Sequence, residues 1–469
     1  MRKKWITRML TALVVLTLSA CGNADSEHAP EQVRDNSSTE KQVSQGTPES
    51  TGDNTAGGLT SLIHHTGIFT RYCSTEDGFY YLTEEAAELA DGSYAPHLMY
   101  MDYATCQEVY LCSDSSCRHD TEDCTSVLAG ASSDGRIFIW DGYLYFLDRP
   151  LDSSGTVIFN AIGESDGGTE ADQAELYRMD LDGTGRERIY SFEADATVED
   201  IAFGGKDGLY FITKKLGASK SSSGTYTTTS DRQLICLDPD TGKDHAVCSL
   251  DFGDGLNWEA VGCSEDQVIL KAYRYPDGMT DEDVSGLDEG SYLDILRDTQ
   301  IVYTALNLST GENTQLYSQP AGDNSASEAV LGGFLYTSSS ASQDIAKVDL
   351  STGEVSTLCS MSTNYIYGTL GNLLCCTSQD MTADYGYYLA DTETGKVTYC
   401  SLTNKALGWQ LEFLATTGDR VLTVYDYEYT DLGNNSYDIT RYQYGLITME
   451  DLMNSVADYK PIQMTGKGI

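Results

Sequence analysis

Three cysteines and a histidine fall within thirteen positions of the stretch LCSDSSCRHDTEDC, as Cys112-x4-Cys117-x-His119-x4-Cys124. Thiolate sulfur and neutral imidazole nitrogen are the donors of tetrahedral structural zinc sites, so Cys112, Cys117, His119 and Cys124 could close around one ion. Four protein ligands leave no open position for a substrate. Such a site would staple a short loop that lacks a core of its own. Cys117 and His119 are two apart and point the same way in an extended chain. The spacing departs from the usual paired Cys-x2-Cys, and a disulfide or free thiols stay open as alternatives. Cys112 also has a competing structural explanation. Cys248, Cys359 and Cys400 each precede a serine five or six residues after a turn glycine, and Cys112 precedes Ser113 at the matching place. A small apolar side chain packing an outer strand accounts for all four, and buried thiols are expected for most of the cysteines. Equivalent sites on separate sheets are too far apart for a disulfide, which needs Cα atoms within about 7 Å.

Other chemistry is sparse. The chain has no HExxH, no GxSxG and no phosphate-binding glycine loop. Of six histidines, His28, His64 and His65 precede the repeats, and His97 and His245 lie in or beside expected strands, where a structural role is the stronger reading. Segment 280–298 carries Asp281, Glu282, Asp283, Asp288, Glu289, Asp294 and Asp298. Their spacing does not match a twelve-residue calcium loop, so a solvated acidic loop is favoured over calcium. A pair of catalytic carboxylates leaves no mark in spacing, so a carboxylate-dependent enzyme stays as the alternative function.

The elements that must position these residues show in a recurring turn. The pattern Asp/Asn-x-x-Thr-Gly occurs as DPDTG (238–242), NLSTG (307–311), DLSTG (349–353) and DTETG (391–395), with DYATC (102–106) carrying Cys106 for glycine and DLDGTG (180–185) one residue longer. Asp or Asn starts such a turn by accepting from the backbone ahead, and Gly takes the positive φ that closes it. Apolar runs flank every copy, and the last copies are 42 residues apart. Inner strand pairs read as GRIFIWDGYLYFLD (135–148) and IAFGGKDGLYFIT (201–213). A unit of about 42 residues with four strands is a propeller blade. The reading is an all-β propeller of seven four-stranded blades (six or eight as alternatives), at about 67–112, 127–193, 198–251, 257–318, 326–360, 364–403 and 407–460. A strand from 59–66 is expected to complete the last blade. Only 83–92 and 447–459 read as helical.

The N-terminus has Arg2, Lys3, Lys4 and Arg8, then an apolar run, then Leu18-Ser19-Ala20-Cys21. The run is too short to span a bilayer and has the layout of a secretory signal. Its end resembles a bacterial lipobox, which implies lipid attachment at Cys21 and a membrane anchor that does not span. Residues 1–20 are assigned as the signal and 21–58 as a disordered tether, because 22–58 contain no aromatic residue and no Leu, Ile or Met. Its expected reach is roughly 35 Å. Residues 59–469 form the propeller domain. The net charge is −43, and loss of 1–20 removes four positive charges and no negative ones, leaving −47. That excludes nucleic acid and anionic headgroups as partners. The chain is expected to be extracytoplasmic and monomeric.

The element LYRMDLDGTGRERI resembles the propeller repeat of the low-density-lipoprotein-receptor type. Across 59–469 the chain resembles a group of uncharacterised β-propeller lipoproteins of anaerobic Gram-positive bacteria, which carry a cysteine-histidine loop like 112–124 after the first unit and a YGLI…ED segment like 444–451 near the end. The resemblance implies a surface-anchored propeller and no particular activity.

With strands A to D running outward from the axis, A–B and C–D turns share one face, and B–C loops and D-to-A crossings share the other. Segments 149–175, 215–231 and 276–298 are B–C loops of the second, third and fourth units, and 113–126 is a D-to-A crossing. All four additions therefore fall on one face, and the opposite face is expected to hold tight turns only. Long loops on a rigid scaffold are where binding usually resides. The leading function is a lipid-anchored binding or scaffold protein that presents this face to a surface protein or glycan.

Overall fold

The computed structural model describes residues 58–64, 69–84, 86–132, 134–149, 173–194, 196–220, 226–280, 283–284, 287–322, 326–362, 364–377, 386–433 and 436–468. Cys21, the signal, nearly all of the tether, residues 150–172 of the second-unit loop, and Asp281 and Glu282 lie outside them. Seven small sheets follow one another along the chain, each with a core of four antiparallel strands taken in chain order. The fold is a seven-bladed β-propeller. No helix among the described residues is long and apolar enough to cross a membrane.

Period-two alternation builds the wheel. In strand B of blade 3 (Gly208–Lys220), Leu209 and Phe211 enter a core cluster shared with blade 2, and Tyr210 and Ile212 enter one shared with blade 4. Successive side chains point to opposite faces of a strand, so each blade feeds both neighbours. Core clusters join blades 4 and 5, 5 and 6, 6 and 7, 7 and 1, and 1 and 2 in the same way. The ring is closed by burial of apolar surface at every seam.

The C–D turns form as their composition demands. Asp238, Asn307, Asp349 and Asp391 each accept, on Oδ1, the backbone N–H groups two and three residues ahead. The closing Gly242, Gly311, Gly353 and Gly395 have φ of 64°, 71°, 72° and 70°. Cys106 stands where the other copies have Gly and still adopts φ 54°, its N–H bonded to the Asp102 carbonyl at 2.9 Å.

Closure differs from expectation. Strands of residues 412–461 supply all four positions of blade 7, so its edge is not open to 59–66. Instead the C-terminal strand Gln463–Gly468 runs parallel to strand D of blade 1 (Gln107–Tyr110) as a fifth, outer strand, with Gln463 opposite Gln107. The N-terminal strand Thr60–Ser61 pairs with the inner edge of strand A of blade 3, Thr60 opposite Gly204 and Ser61 opposite Phe203. That edge faces the axis, so the N-terminal strand lies in the central channel. Ser61 Oγ is 3.4 Å from Cys263 Sγ of blade 4, and Leu59 N–H donates to the Glu265 carbonyl in the A–B turn of that blade. The chain therefore enters the channel at the tight-turn face and leaves toward the other.

Residues 83–92 are not helical as expected. Ala87–Glu88 pairs with Tyr94–Ala95 across a turn in which Asp91 accepts from Ser93 N and Oγ at 2.9 and 2.6 Å. Burial of Leu89 under the cysteine loop overrides the local helical tendency. The expected helix at 447–459 is present as α2 (Met449–Met453), capped by Thr448 Oγ1 on Asp451 N. It is the C–D connection of blade 7, so the tight-turn face is not made of tight turns alone. A helix not expected, α1 (Glu289–Asp298), forms inside the acidic segment with Asp288 as its N-cap.

Candidate metal centre and insertion face

Strand D of blade 1 ends at Tyr110, and the chain turns outward at Cys112, whose N–H bonds the Tyr110 carbonyl at 2.7 Å. Two small turns then fold the loop back. Asp114 Oδ1 accepts from Ser116 N at 2.8 Å, and Cys117 N bonds the Asp114 carbonyl at 3.0 Å. Cys124 N bonds the Thr121 carbonyl at 3.1 Å. Between them His119 adopts φ 56°, a left-handed conformation that costs a non-glycine residue energy and persists only where its surroundings require it.

The loop brings Cys112, Cys117, His119 and Cys124 together, with all four ligand atoms within 4.8 Å of one another. His119 Nδ1 is 3.4 Å from Cys124 Sγ. Zinc bonds of about 2.3 Å to sulfur and 2.0–2.1 Å to nitrogen at tetrahedral angles give edges of about 3.6–3.8 Å. The group already has nearly the dimensions of such a cage and could hold a metal ion. Cys112, His119 and Cys124 are buried and Cys117 is partly so. All twelve cysteines after Cys21 are free thiols, so no disulfide joins the loop. Cys112 is therefore not only an outer-strand packing residue. It lies two positions past its strand, whereas Cys248, Cys359 and Cys400 stay within theirs.

Burial pushes the Cys124 thiol up to about 12, with the neighbouring Cys117 and Cys112 thiols adding to the shift. Burial, then proximity to His97, lowers the His119 imidazole. His119 is held neutral, the form that ligates a metal. The Cys124 thiol keeps its proton until a divalent cation displaces it.

Residues outside the motif orient it. His97 Nε2–H donates to the His119 carbonyl at 2.7 Å. The Tyr110 ring stacks on His119 at 4.2 Å and meets His97 edge-on at 5.0 Å. Ala90 N–H bonds the Asp120 carbonyl at 2.7 Å, so the B–C hairpin of blade 1 backs the loop. Spacing could not reveal His97 and Tyr110 as supports, because they act on a backbone carbonyl and a ring face across the fold.

Of the four expected additions, 113–126, 215–231 and 276–298 connect D to A or B to C on one face, and 149–175 lies almost wholly outside the described residues. Their forms differ from plain loops. Residues 215–231 mostly lengthen strands B and C of blade 3, which pair out to Lys220 opposite Tyr226. In blade 4, Asp283 and Asp288 accept from Thr280 N and Ser291 N of their own loop at 2.8 and 3.1 Å. A fifth addition escaped the sequence reading: strands B and C of blade 7 (Arg420–Gly433 and Ser436–Thr448) form another long hairpin on this face.

Strand A residues at the insertion-face end carry charge. Arg136 holds Asp200 through two bonds of 2.7 and 2.6 Å, and Arg149 meets the same carboxylate at 2.8 Å. Lys271 of blade 4 reaches Glu328 of blade 5 at 2.6 Å. Glu412 opens strand A of blade 7, and burial pushes its carboxyl up to about 7 although the Tyr367 hydroxyl donates to it at 2.8 Å. A folded value above the unfolded one, near 4.5, means that protonated Glu412 supports the fold fully below about pH 4.5. That support is lost as pH rises through about 7. Glu412→Gln is permanently neutral, so its stability relative to wild type should rise by about 2–3 kcal/mol between pH 4.5 and 8. Urea midpoints at the two pH values check this, and a constant difference would refute it.

No family model matches the chain, and no curated protein matches it. Among solved structures, an oligogalacturonate lyase in complex with manganese is 15% identical, with a TM-score of 0.41, over 88% of this chain and 98% of that one. Sqt1 of Saccharomyces cerevisiae is 11% identical, with a TM-score of 0.38, over 88% and 90%. TolB from Acinetobacter baumannii is 15% identical, with a TM-score of 0.31, over 87% and 80%. Likeness at this level carries no argument about activity.

Proposed function

We propose that this chain is an extracytoplasmic binding or scaffold protein, lipid-anchored through Cys21, that presents its insertion face to a surface partner. The observation that carries the reading is the placement of the described chain additions on one side of a rigid wheel, including two long hairpins and helix α1. The N-terminal strand supports the same reading. Gly58 lies beside Glu265 at the tight-turn face, so the described chain begins on the face opposite the additions. The same strand fills part of the channel, which favours a surface that binds over a deep axial pocket that catalyses.

The Cys3His group serves this face by pinning the loop between blades 1 and 2. Three sulfurs and an imidazole suit zinc, since harder cations prefer oxygen. With all four positions supplied by the protein, the zinc would be structural.

The test places a photo-crosslinking amino acid at Tyr292 of α1, which is 37% exposed, or at Ser351 in a C–D turn. In cells, adducts are expected from position 292 and not from 351. Adducts from 351 alone would overturn the face assignment. In the same cells Cys21→Ser should shift the chain from the membrane to the soluble fraction, and an unchanged distribution would remove the anchor.

A further inference from the structure

The blade 7 hairpin stands clear of its own blade. Strand A of that blade stops pairing where Glu412 faces Val424, and strand D covers only Gly445 and Leu446. Beyond those points two strands continue alone to Gly433 opposite Ser436. Two strands by themselves are marginal in water, and a string of rings supports them. Phe69 meets Tyr442 at 5.0 Å, Tyr442 meets Tyr427 at 5.8 Å, and Tyr427 meets Trp409 at 6.1 Å. Trp409 then meets Tyr437 at 5.8 Å, and Tyr437 meets Tyr429 at 5.3 Å. The string passes from core to solvent: Phe69 and Tyr427 are 7% exposed, Trp409 38%, Tyr429 39%, and Leu432 at the tip 62%.

Acidic residues predominate along the hairpin, whose two basic residues are Arg420 at its base and Arg441. Asp426, Glu428, Asp431 and Asp438 lie on it, and Glu428, Asp431 and Asp438 are exposed. Arg441 is turned toward Glu108 of blade 1, at 3.9 Å. Aromatic faces attract cations through their quadrupole, and the carboxylates add to that field. The net charge of −43 extends the same sign over the chain and steers cations toward it. Among the described residues, strand Arg420–Gly433 has no partner beyond Val424 except the other arm of its own hairpin. An extended peptide could add along that edge.

We propose that the blade 7 hairpin docks a lysine- or arginine-rich peptide segment of a partner protein, with side-chain cations over Trp409 and Tyr429 and beside Asp431 and Asp438. This rests on the reading of the insertion face as the working face, and it names the chemistry of the partner. An anionic glycan or a nucleic acid would be repelled from the same surface.

The test uses the full chain in non-ionic detergent and fluorescein-labelled deca-lysine, with affinity read by anisotropy at physiological salt. Trp409→Ala/Tyr429→Ala should weaken binding roughly 5- to 20-fold, and Asp431→Asn/Asp438→Asn should do so by a similar factor. Trp409→Phe/Tyr429→Phe keeps the rings and should stay within about threefold of wild type, which separates lost contact from lost fold. Glu312→Gln/Glu393→Gln removes the same charge from the tight-turn face and should change affinity by less than about twofold. Equal losses in that control and in the hairpin variants would mean diffuse attraction and overturn the proposal, as would no binding of wild type. Unchanged affinity in the hairpin variants rejects this proposal alone, because the face assignment stands on crosslinking at Tyr292.

Discussion

The purified chain should carry about one equivalent of zinc, and Cys117→Ser/Cys124→Ser should carry less than a tenth. The magnitude follows from the donor set. Structural Cys/His sites bind zinc with apparent free energies of about 10–16 kcal/mol at neutral pH, and loss of two sulfurs leaves too few ligands for retention. Here the ligand atoms lie within 4.8 Å of one another, so little of that free energy goes into assembling the site. Cys248→Ser is the matched control, since Cys248 lies in an outer strand away from the loop. The loop provides a second readout. The Arg118 side chain is 85% exposed in the middle of it. Trypsin should cut there at least about tenfold faster after chelation, because proteolysis follows the population of the open form. Zinc retained by the double variant, or Cys117 and Cys124 recovered as an oxidised pair, would refute the assignment.

Glu328→Gln should destabilise the wheel by about 3–5 kcal/mol, the cost of leaving a buried charge without its partner. Lys271 and Glu328 join strands of blades 4 and 5, with side chains only 12% and 13% exposed and 2.6 Å between them. Burial raises the Glu328 carboxyl, and the Lys271 ammonium beside it opposes the rise. The Tyr303 hydroxyl lies 3.3 Å from the same carboxylate and 2.7 Å from Thr337 Oγ1. Removal of one charge therefore disturbs a seam that holds neighbouring blades together. Glu328→Gln/Lys271→Met removes both charges and should be at least about 1 kcal/mol more stable than the sum of the single effects. Urea unfolding of the four chains closes the cycle, and strict additivity would show that the pair is not coupled.

Repetition and turn chemistry were legible because they are local. An aspartate that accepts from residues two and three ahead, followed by a glycine at positive φ, is written in five consecutive letters and needs no partner elsewhere. The four-stranded unit and the sorting of loops to two faces follow from that turn and from period-two alternation, whereas the seventh blade, whose C–D connection is a helix, lacks the turn and left six or eight blades open. The four candidate metal ligands were legible for the same reason, since a thirteen-residue loop can fold on itself. The α1 helix was missed because its acidic residues read as a solvated loop, although Asp288 is a good N-cap.

By itself, then, the sequence determined the wheel, the side on which the chain is elaborated, and the candidate ligands. Only the tertiary structure decided that the N-terminal strand lies in the channel, that Gln463–Gly468 closes blade 1, and that His97 and Tyr110 hold His119. The physical reason is separation along the chain. Thr60 meets Gly204, and Gln463 meets Gln107, through backbone pairing alone. Backbone groups are the same in every residue, so such pairing leaves no trace in side-chain type or spacing, and packing of the whole wheel selects it.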